Sequence, residues 1–166
     1  MRKLIDSIAN VYVIIALVGL IILIATMIFE IVMRYFTSSS IIWLHEFLGI
    51  VIIWITFLGF GKIVADREDI MITFLVEKFE EKTRKVIMYI NTILLLIISI
   101  VLSITSISLA IKGFNRSTLL LEAPYTLYYF PLVLLMLLVT LIMIEHLRQI
   151  KDGNIDIFTA RQEGEK

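Results

Sequence analysis

The stretch Ile41–Ala65, with the sequence IIWLHEFLGIVIIWITFLGFGKIVA, is the most informative part of this chain for predicting its fold. At a rise of about 1.5 Å per residue, a helix of this length spans roughly 37 Å, enough to cross the hydrocarbon core of a bilayer with some tilt. It carries Glu46 about one turn inside its start, and a carboxylate in a membrane span is costly unless it is paired or faces protein. Lys62 lies near the other end, where a long basic side chain can reach the headgroups. The stretch therefore predicts a transmembrane helix whose Glu46 has a partner, in this chain or in another.

The composition extends this prediction to the whole chain. Of 166 residues, 60% are hydrophobic and 18% are charged, and the mean hydropathy is +0.98. Soluble domains are only about 45–50% apolar. The long uncharged runs are Ser7–Phe29, Phe47–Gly61, Val86–Ile111 and Ala123–Ile144. We predict an all-α integral membrane protein: one four-helix transmembrane domain at 1–150, with spans at about 8–33, 41–65, 85–112 and 124–147, and a polar cytoplasmic tail at 151–166.

The basic residues predict the orientation. With four spans, both termini and the loop between helices two and three lie on one side of the membrane. That side holds twelve basic residues: Arg2, Lys3, Lys62, Arg67, Lys78, Lys82, Arg84, Lys85, Arg148, Lys151, Arg161 and Lys166. The other side holds three: Arg34, Lys112 and Arg116. The excess of lysine and arginine in cytoplasmic segments therefore predicts that both termini are cytoplasmic.

The loop between helices two and three has an amphipathic pattern of its own. Ile72, Leu75, Val76 and Phe79 recur at helical spacing, and the acidic residues of the segment fall off that face. We expect a short helix that lies in the membrane interface or against protein there.

Small and hydroxyl-bearing residues form faces suited to close helix packing. On helix one the face consists of Ala16, Gly19, Leu23, Thr26, Glu30 and Arg34, and on helix two of Gly49, Thr56 and Gly59. On helix three the stripe consists of Thr92, Ser99, Ser103, Ser106 and Ala110. Small residues let helix backbones approach closely in lipid, so we interpret these faces as packing seams. A polar pore is the alternative for helix three, and we favour the seam because such hydroxyls bond to carbonyls of the preceding turn.

Catalytic and cofactor motifs are missing from the sequence. It has no cysteine, and no phosphate-binding loop, zinc-protease or serine-hydrolase motif. His45 and His146 open helix two and close helix four, so they lie at opposite membrane faces and cannot ligate one haem. We expect no enzymatic activity, no cofactor in this chain and no nucleic-acid partner.

Five features in order resemble one known family. They are Arg34-Tyr35-Phe36 at the end of helix one, Trp43 and Glu46 at the start of helix two, the run Trp54, Phe57 and Gly59, the charged turn leading into an apolar stretch at Asp66–Val76, and Pro131 in the fourth span. Over nearly its whole length the chain resembles the small membrane subunit of tripartite ATP-independent periplasmic (TRAP) transporters, the DctQ-like family.

The resemblance implies a scaffold that does not itself bind the transported solute. In that family the small subunit packs on a large, many-helix subunit, which is expected to hold the sodium ions, and a soluble periplasmic binding protein delivers an organic acid. Carried over to this chain, the resemblance implies that Glu46, Trp54, Phe57 and Gly59 face either the core of this fold or the large subunit. We assign subunit packing to these four and to Glu30, Ser99, Ser103 and Ser106. The resemblance implies that the periplasmic binding protein docks on a surface formed by Arg34, Tyr35, Trp43, Arg116 and the Leu119–Leu121 loop.

A stand-alone four-helix, proton-coupled exporter is the alternative. Such exporters are shorter and place an acid in the middle of helix one. Here the centre of helix one is neutral and Glu30 lies at its end, which favours the scaffold.

Overall fold

A computed structural model describes residues 2–38, 41–66 and 81–151, apart from several side chains in the first turns of the third helix and near the end of the fourth. These residues form four helices: α1 (Arg2–Thr37), α2 (Trp43–Asp66), α3 (Glu81–Gly113) and α4 (Thr126–Lys151). Each contains a segment long and apolar enough to cross a membrane. The all-helical, four-span architecture predicted from the sequence is therefore confirmed for the described part of the chain. The amphipathic segment at 72–79 and the tail beyond Lys151 lie outside the described residues.

Helix α1 runs past its predicted span at both ends. It begins at Arg2 and continues to Thr37, whereas the apolar run alone ends at Phe29. Polar residues continue a helix without difficulty once it leaves the hydrocarbon, so hydropathy locates the span but not the ends of the helix.

The helices are arranged in the order α1, α2, α4, α3. α1 packs along α2 and touches α4, α2 packs on α4, and the longest contact joins α4 to α3. The end of α1 and the start of α2 lie at the same end of the bundle as the α3–α4 connection at residues 114–125. We call this the loop end, and the opposite end is the terminal end. α2 and α4 both run from the loop end to the terminal end, and α1 and α3 run the other way.

The best-packed part of the interior lies toward the terminal end. Ile5 and Ala9 of α1 meet Leu138, Ile142 and Met143 of α4 in one buried cluster. Elsewhere most of the surface is apolar, and only 6% of the most apolar window of α1 is buried inside the chain. In a membrane these side chains contact lipid or another membrane protein. They therefore need not be buried inside this chain.

The packing face predicted on helix one is the face that meets α2. Ala16 and Glu30 are buried, and Gly19, Leu23 and Thr26 are partly buried among exposed neighbours. A side-chain carbon placed on Gly19 would lie 3.1 Å from Cγ1 of Ile55. The missing side chain at Gly19 therefore lets the two backbones approach, as expected for helix packing in lipid.

Candidate subunit and docking surfaces

The carboxylate of Glu46 is bound by the α3–α4 loop of the same chain. The backbone N–H of Leu121 donates to Oε2 at 2.8 Å, and the N–H of Leu120 donates to both carboxylate oxygens at 3.2 and 3.3 Å. Hydrogen bonds from backbone N–H groups to a carboxylate are charge-assisted and about twice as strong as neutral ones. The partner that the sequence required for Glu46 is thus present within the chain.

The same loop is tied together by its own hydrogen bonds. The N–H of Thr118 donates to the carbonyl of Ala123 at 2.9 Å, and the N–H of Ala123 donates back to the Thr118 hydroxyl at 3.1 Å. The N–H of Tyr125 donates to the carbonyl of Arg116 at 2.9 Å, closing the base of the loop. Glu122 adopts φ 54°, a left-handed conformation that a non-glycine residue takes at some conformational cost. These hydrogen bonds hold the loop in a defined turn. Leu119, at the tip of the turn, is 92% exposed.

Helix α4 meets α2 through two aromatic side chains. The hydroxyl of Tyr128 donates to the carbonyl of Glu46 at 3.1 Å, and the indole N–H of Trp54 donates to the carbonyl of Leu127 at 3.0 Å. The Trp54 ring also lies 6.1 Å from the ring of Phe130, centroid to centroid. Trp54 therefore packs α2 against α4 within this chain.

The bond from Trp54 has its origin in Pro131. Pro131 lies inside α4 and is fully buried. Proline has no N–H, so the carbonyl four residues earlier, that of Leu127, loses its helical donor. The indole of Trp54 supplies the missing hydrogen bond. We did not predict this contact from the sequence, although the sequence contains the relevant pattern. A proline in a span identifies the carbonyl that needs a donor, and a tryptophan on a neighbouring span can supply one.

Glu30 and Arg34 form the predicted pair one turn apart, in a loose geometry. Nε of Arg34 lies 3.9 Å from Oε1 of Glu30, and this oxygen has no hydrogen-bond partner among the described residues. Glu30 is buried, whereas the Arg34 side chain is 59% exposed. The antiparallel register that places Gly19 beside Ile55 brings Glu30 level with the first turn of α2.

The serines of α3 lie in a seam against α4. Ser99, Ser103 and Ser106 are all buried. The Thr140 hydroxyl of α4 donates to Oγ of Ser99 at 3.2 Å and lies 3.4 Å from Oγ of Ser103, and Ser106 donates to the carbonyl of Ser103. The packing seam, rather than a pore, is the arrangement that the structure supports.

The glycines of α2 have different surroundings. A side-chain carbon on Gly61 would lie 3.1 Å from Tyr12 and 3.2 Å from Leu138, so Gly61 is the glycine of α2 that makes close contacts within the fold. A side-chain carbon on Gly49 would lie 3.8 Å from the hydroxyl oxygen of Tyr128. A carbon on Gly59 would meet nothing within 4 Å, and Thr56 beside it is exposed. The face predicted from Gly49, Thr56 and Gly59 is thus divided between the interior and the outer surface.

The four residues predicted to dock a periplasmic partner are all exposed near the loop end. They are Arg34 and Tyr35 at the end of α1, Trp43 at the start of α2 and Arg116 in the α3–α4 loop. Tyr35 is 82% exposed and Trp43 is 46% exposed.

The terminal end contains an ion pair within one helix. Nζ of Lys62 lies 2.7 Å from Oδ1 of Asp66, one turn further along α2, and both side chains are partly buried. Lys62 therefore directs its ammonium group toward the terminal end, as expected of a lysine that reaches for the headgroups. Within residues 2–38, 41–66 and 81–151, no three acidic or histidine side chains come together as metal ligands.

Four apolar helices, with their polar side chains engaged in helix packing and loop bonding, define a small multi-pass membrane protein. Residues 23–152 match the model of the family described as tripartite ATP-independent periplasmic transporters, DctQ component. The match covers most of the chain, which therefore belongs to the DctQ family, the small membrane component of TRAP transporters. No curated protein matches the chain, and no solved structure matches it. The resemblance inferred from the sequence is thereby confirmed, and the family is one of transporter components rather than enzymes.

Proposed function

We propose that this chain is the small integral-membrane subunit of a sodium-coupled TRAP importer of organic acids, carboxylates such as C4-dicarboxylates or sialic acid. It acts as a scaffold for the large transport subunit and as a docking surface for the periplasmic binding protein. The family match over residues 23–152 carries this proposal. The sodium ions belong to the large subunit.

We place the chain in the bacterial inner membrane with both termini in the cytoplasm. By sequence, the segments on the side of both termini and of the connection between α2 and α3 contain twelve of the fifteen basic residues, and this excess supports the orientation. The loop end then faces the periplasm, where a binding protein would dock on Arg34, Tyr35, Trp43 and Arg116.

The outer surface of α2 is the proposed contact with the large subunit. Phe57 is partly buried, and Gly59 leaves an indentation that no side chain of the described residues fills. A glycine within a membrane helix lets another helix approach closely. Glu46, Trp54 and the serines of α3 contribute to assembly indirectly, by holding the shape of this subunit.

A matched pair of substitutions tests this contact. Gly59→Leu adds a side chain at a position where the first carbon has no described residue within 4 Å, so the chain should fold normally but recover much less large subunit in a detergent pull-down. Gly61→Leu would strike Tyr12 and Leu138, so it should lower the thermal stability of the isolated chain. Full recovery of the large subunit with Gly59→Leu would place the contact elsewhere.

Uptake of a labelled organic acid tests the function itself. Vesicles that contain both membrane subunits should accumulate the solute when a sodium gradient and the binding protein are supplied, and vesicles lacking this chain should not. Accumulation by the large subunit alone would contradict the proposal. Drug efflux by this chain alone, driven by a proton gradient, would favour the stand-alone exporter.

A further inference from the structure

The α3–α4 loop exposes apolar side chains beyond the end of α3. Phe114, which directly follows α3, is 73% exposed, and Leu119 and Leu120 at the tip of the loop are 92% and 50% exposed. The last turn of α3 also carries an exposed apolar side chain, that of Ile111. The loop therefore continues the apolar surface that the helices of this chain present to the membrane.

The tip lies level with the first turns of two helices. The N–H groups of Leu120 and Leu121 bind Glu46, which belongs to the first turn of α2. The hydroxyl of Tyr128, in the first turn of α4, donates to the carbonyl of the same Glu46. The loop thus folds back against the ends of the spans. Such ends lie in the headgroup region of a bilayer, where tyrosines like the exposed Tyr125 are enriched.

The backbone of the tip donates its hydrogen bonds within the chain. Position 124 is a proline and has no N–H. The N–H groups that donate to protein acceptors are those of Thr118, Leu120, Leu121, Ala123 and Tyr125. Water can accept from the N–H groups of an exposed loop, whereas a backbone next to lipid must find its acceptors in protein. The hydrogen bonding of the tip is therefore suited to surroundings poor in water, and Glu46 supplies part of it from another helix.

Polar residues of the same loop limit how deep it can lie. The exposed ones are Asn115, Arg116, Ser117 and Glu122. Their side chains need water or headgroups, because burying a polar group without a hydrogen bond is costly. A segment that carries both kinds of side chain suits the boundary between headgroups and acyl chains.

The large subunit is the alternative cover for the tip. Its proposed contact is Gly59, which follows Glu46 by 13 residues. At 3.6 residues per turn, the two positions are about 140° apart around α2. The tip is bound on the side of Glu46, so lipid is the neighbour that this arrangement favours.

We propose that Phe114, Leu119 and Leu120 insert into the membrane interface at the loop end, where headgroups meet acyl chains, and that Glu46 holds the tip at this depth. The loop is then a lipid anchor for that end of the bundle. The inference goes beyond the proposed function, and only the choice of lipid over the large subunit rests on the contact proposed at Gly59.

Depth measurements on the assembled transporter test the insertion. The chain has no cysteine, so one nitroxide label at a time can be attached to it. Each labelled chain is combined with a cysteine-free large subunit in vesicles of phosphatidylethanolamine and phosphatidylglycerol, without binding protein, so that no docked partner shields the loop. The labelled variants are Leu119→Cys, Phe114→Cys, Ser117→Cys and Ile104→Cys. Ile104, 64% exposed on α3, is the lipid standard, and the exposed Ser117 is the water standard.

The measured quantity is the ratio of collisions with oxygen, which dissolves in lipid, to collisions with a water-soluble nickel reagent. It should be several times higher at Leu119 and Phe114 than at Ser117, and highest at Ile104. A ratio at Leu119 equal to that at Ser117 places the tip in water and overturns the inference. Protection of Leu119 from both reagents places it under the large subunit and also overturns it. Loss of sodium-driven uptake by the unlabelled complex would contradict the proposed function instead, and would leave the depth measurement unaffected.

Glu46→Ala tests the positioning role of Glu46. Without an acceptor at position 46, the N–H groups of Leu120 and Leu121 must bond to water, so the ratio at Leu119 should fall toward that at Ser117. Glu46→Gln keeps a carbonyl oxygen as acceptor and should restore most of the depth. The ratio at Ile104 should not change in either variant, which separates a moved loop from an unfolded chain. An unchanged ratio at Leu119 in Glu46→Ala would overturn the role of Glu46.

Discussion

Individual groups of this protein provide the hydrogen bonds that water would provide outside the membrane. Water cannot satisfy a backbone carbonyl in the hydrocarbon, so each helix irregularity requires a donor from protein. Pro131 creates such a carbonyl at Leu127, and Trp54 provides the donor. At the loop end the same requirement applies to a charge, and the carboxylate of Glu46 is satisfied by backbone N–H groups.

The pairing of Trp54 with Pro131 leads to a prediction at the scale of residues. Trp54→Phe keeps most of the ring but removes the indole N–H, so the free energy of unfolding should fall by about 1 kcal/mol. Pro131→Ala gives residue 131 an N–H that can donate to the carbonyl of Leu127, and Trp54→Phe should then have a smaller effect. Equal effects in both backgrounds, measured by unfolding in mixed micelles, would show that the indole bond is independent of the proline.

Among the helices, α4 carries most of the tertiary structure. It packs on all three others and contains the buried residues Leu135 and Leu138, and its Thr140 lies opposite the serines of α3. Because lipid is as apolar as leucine, burial of leucine gives little driving force between membrane helices. Close packing of small residues and hydrogen bonds between hydroxyl groups therefore contribute a larger share of the association between α3 and α4.

This seam can be tested by one substitution in α4. Thr140→Val has nearly the same shape but loses its contacts with Ser99 and Ser103, and also its hydrogen bond to the carbonyl of Met136 in its own helix. We expect a loss of roughly 0.5–1 kcal/mol of stability from the contacts with α3, beyond the loss of the bond within α4. Thr105→Val is the control, because the exposed Thr105 hydroxyl donates only to the carbonyl of Val101 in its own helix. A larger loss at Thr105 than at Thr140 would contradict the assignment.

The whole molecule is an open row of helices with apolar outer surfaces. α1 and α3 lie at its two edges, and much of their surface is exposed within the chain. A scaffold subunit needs such surfaces, since one part meets the large subunit and the rest meets lipid. This arrangement fits a component of a larger membrane complex.

The orientation of the molecule can be measured directly, because the chain has no cysteine. A single cysteine introduced at the exposed Ser117 should react with a membrane-impermeant maleimide in cells whose outer membrane has been opened. A cysteine at Leu4 should react only after the inner membrane is permeabilised. The reverse pattern would show that the excess of basic residues does not set the topology of this chain.

Side-chain periodicity predicted one part of the packing in detail and left another part undetermined. The face of α1 from Ala16 to Glu30 was readable because small residues repeat at helical spacing, and it is the face that meets α2. On α2 the same reasoning selected Gly59, whereas the glycine in close contact within the fold is Gly61. The two residues lie on different sides of the helix, and both sides are apolar, so hydropathy does not distinguish them.

The four spans and the need of Glu46 for a partner could be read from the amino-acid sequence, because hydropathy and charge are local properties that add along the chain. The family could be read from the order of five short motifs. That the partner of Glu46 is the loop at Leu120 and Leu121, and that Trp54 donates to the carbonyl freed by Pro131, is visible only in the folded chain. Those contacts depend on the rotation and register of helices far apart in sequence. Rotation and register are set by the packing of many side chains together, which no single stretch encodes.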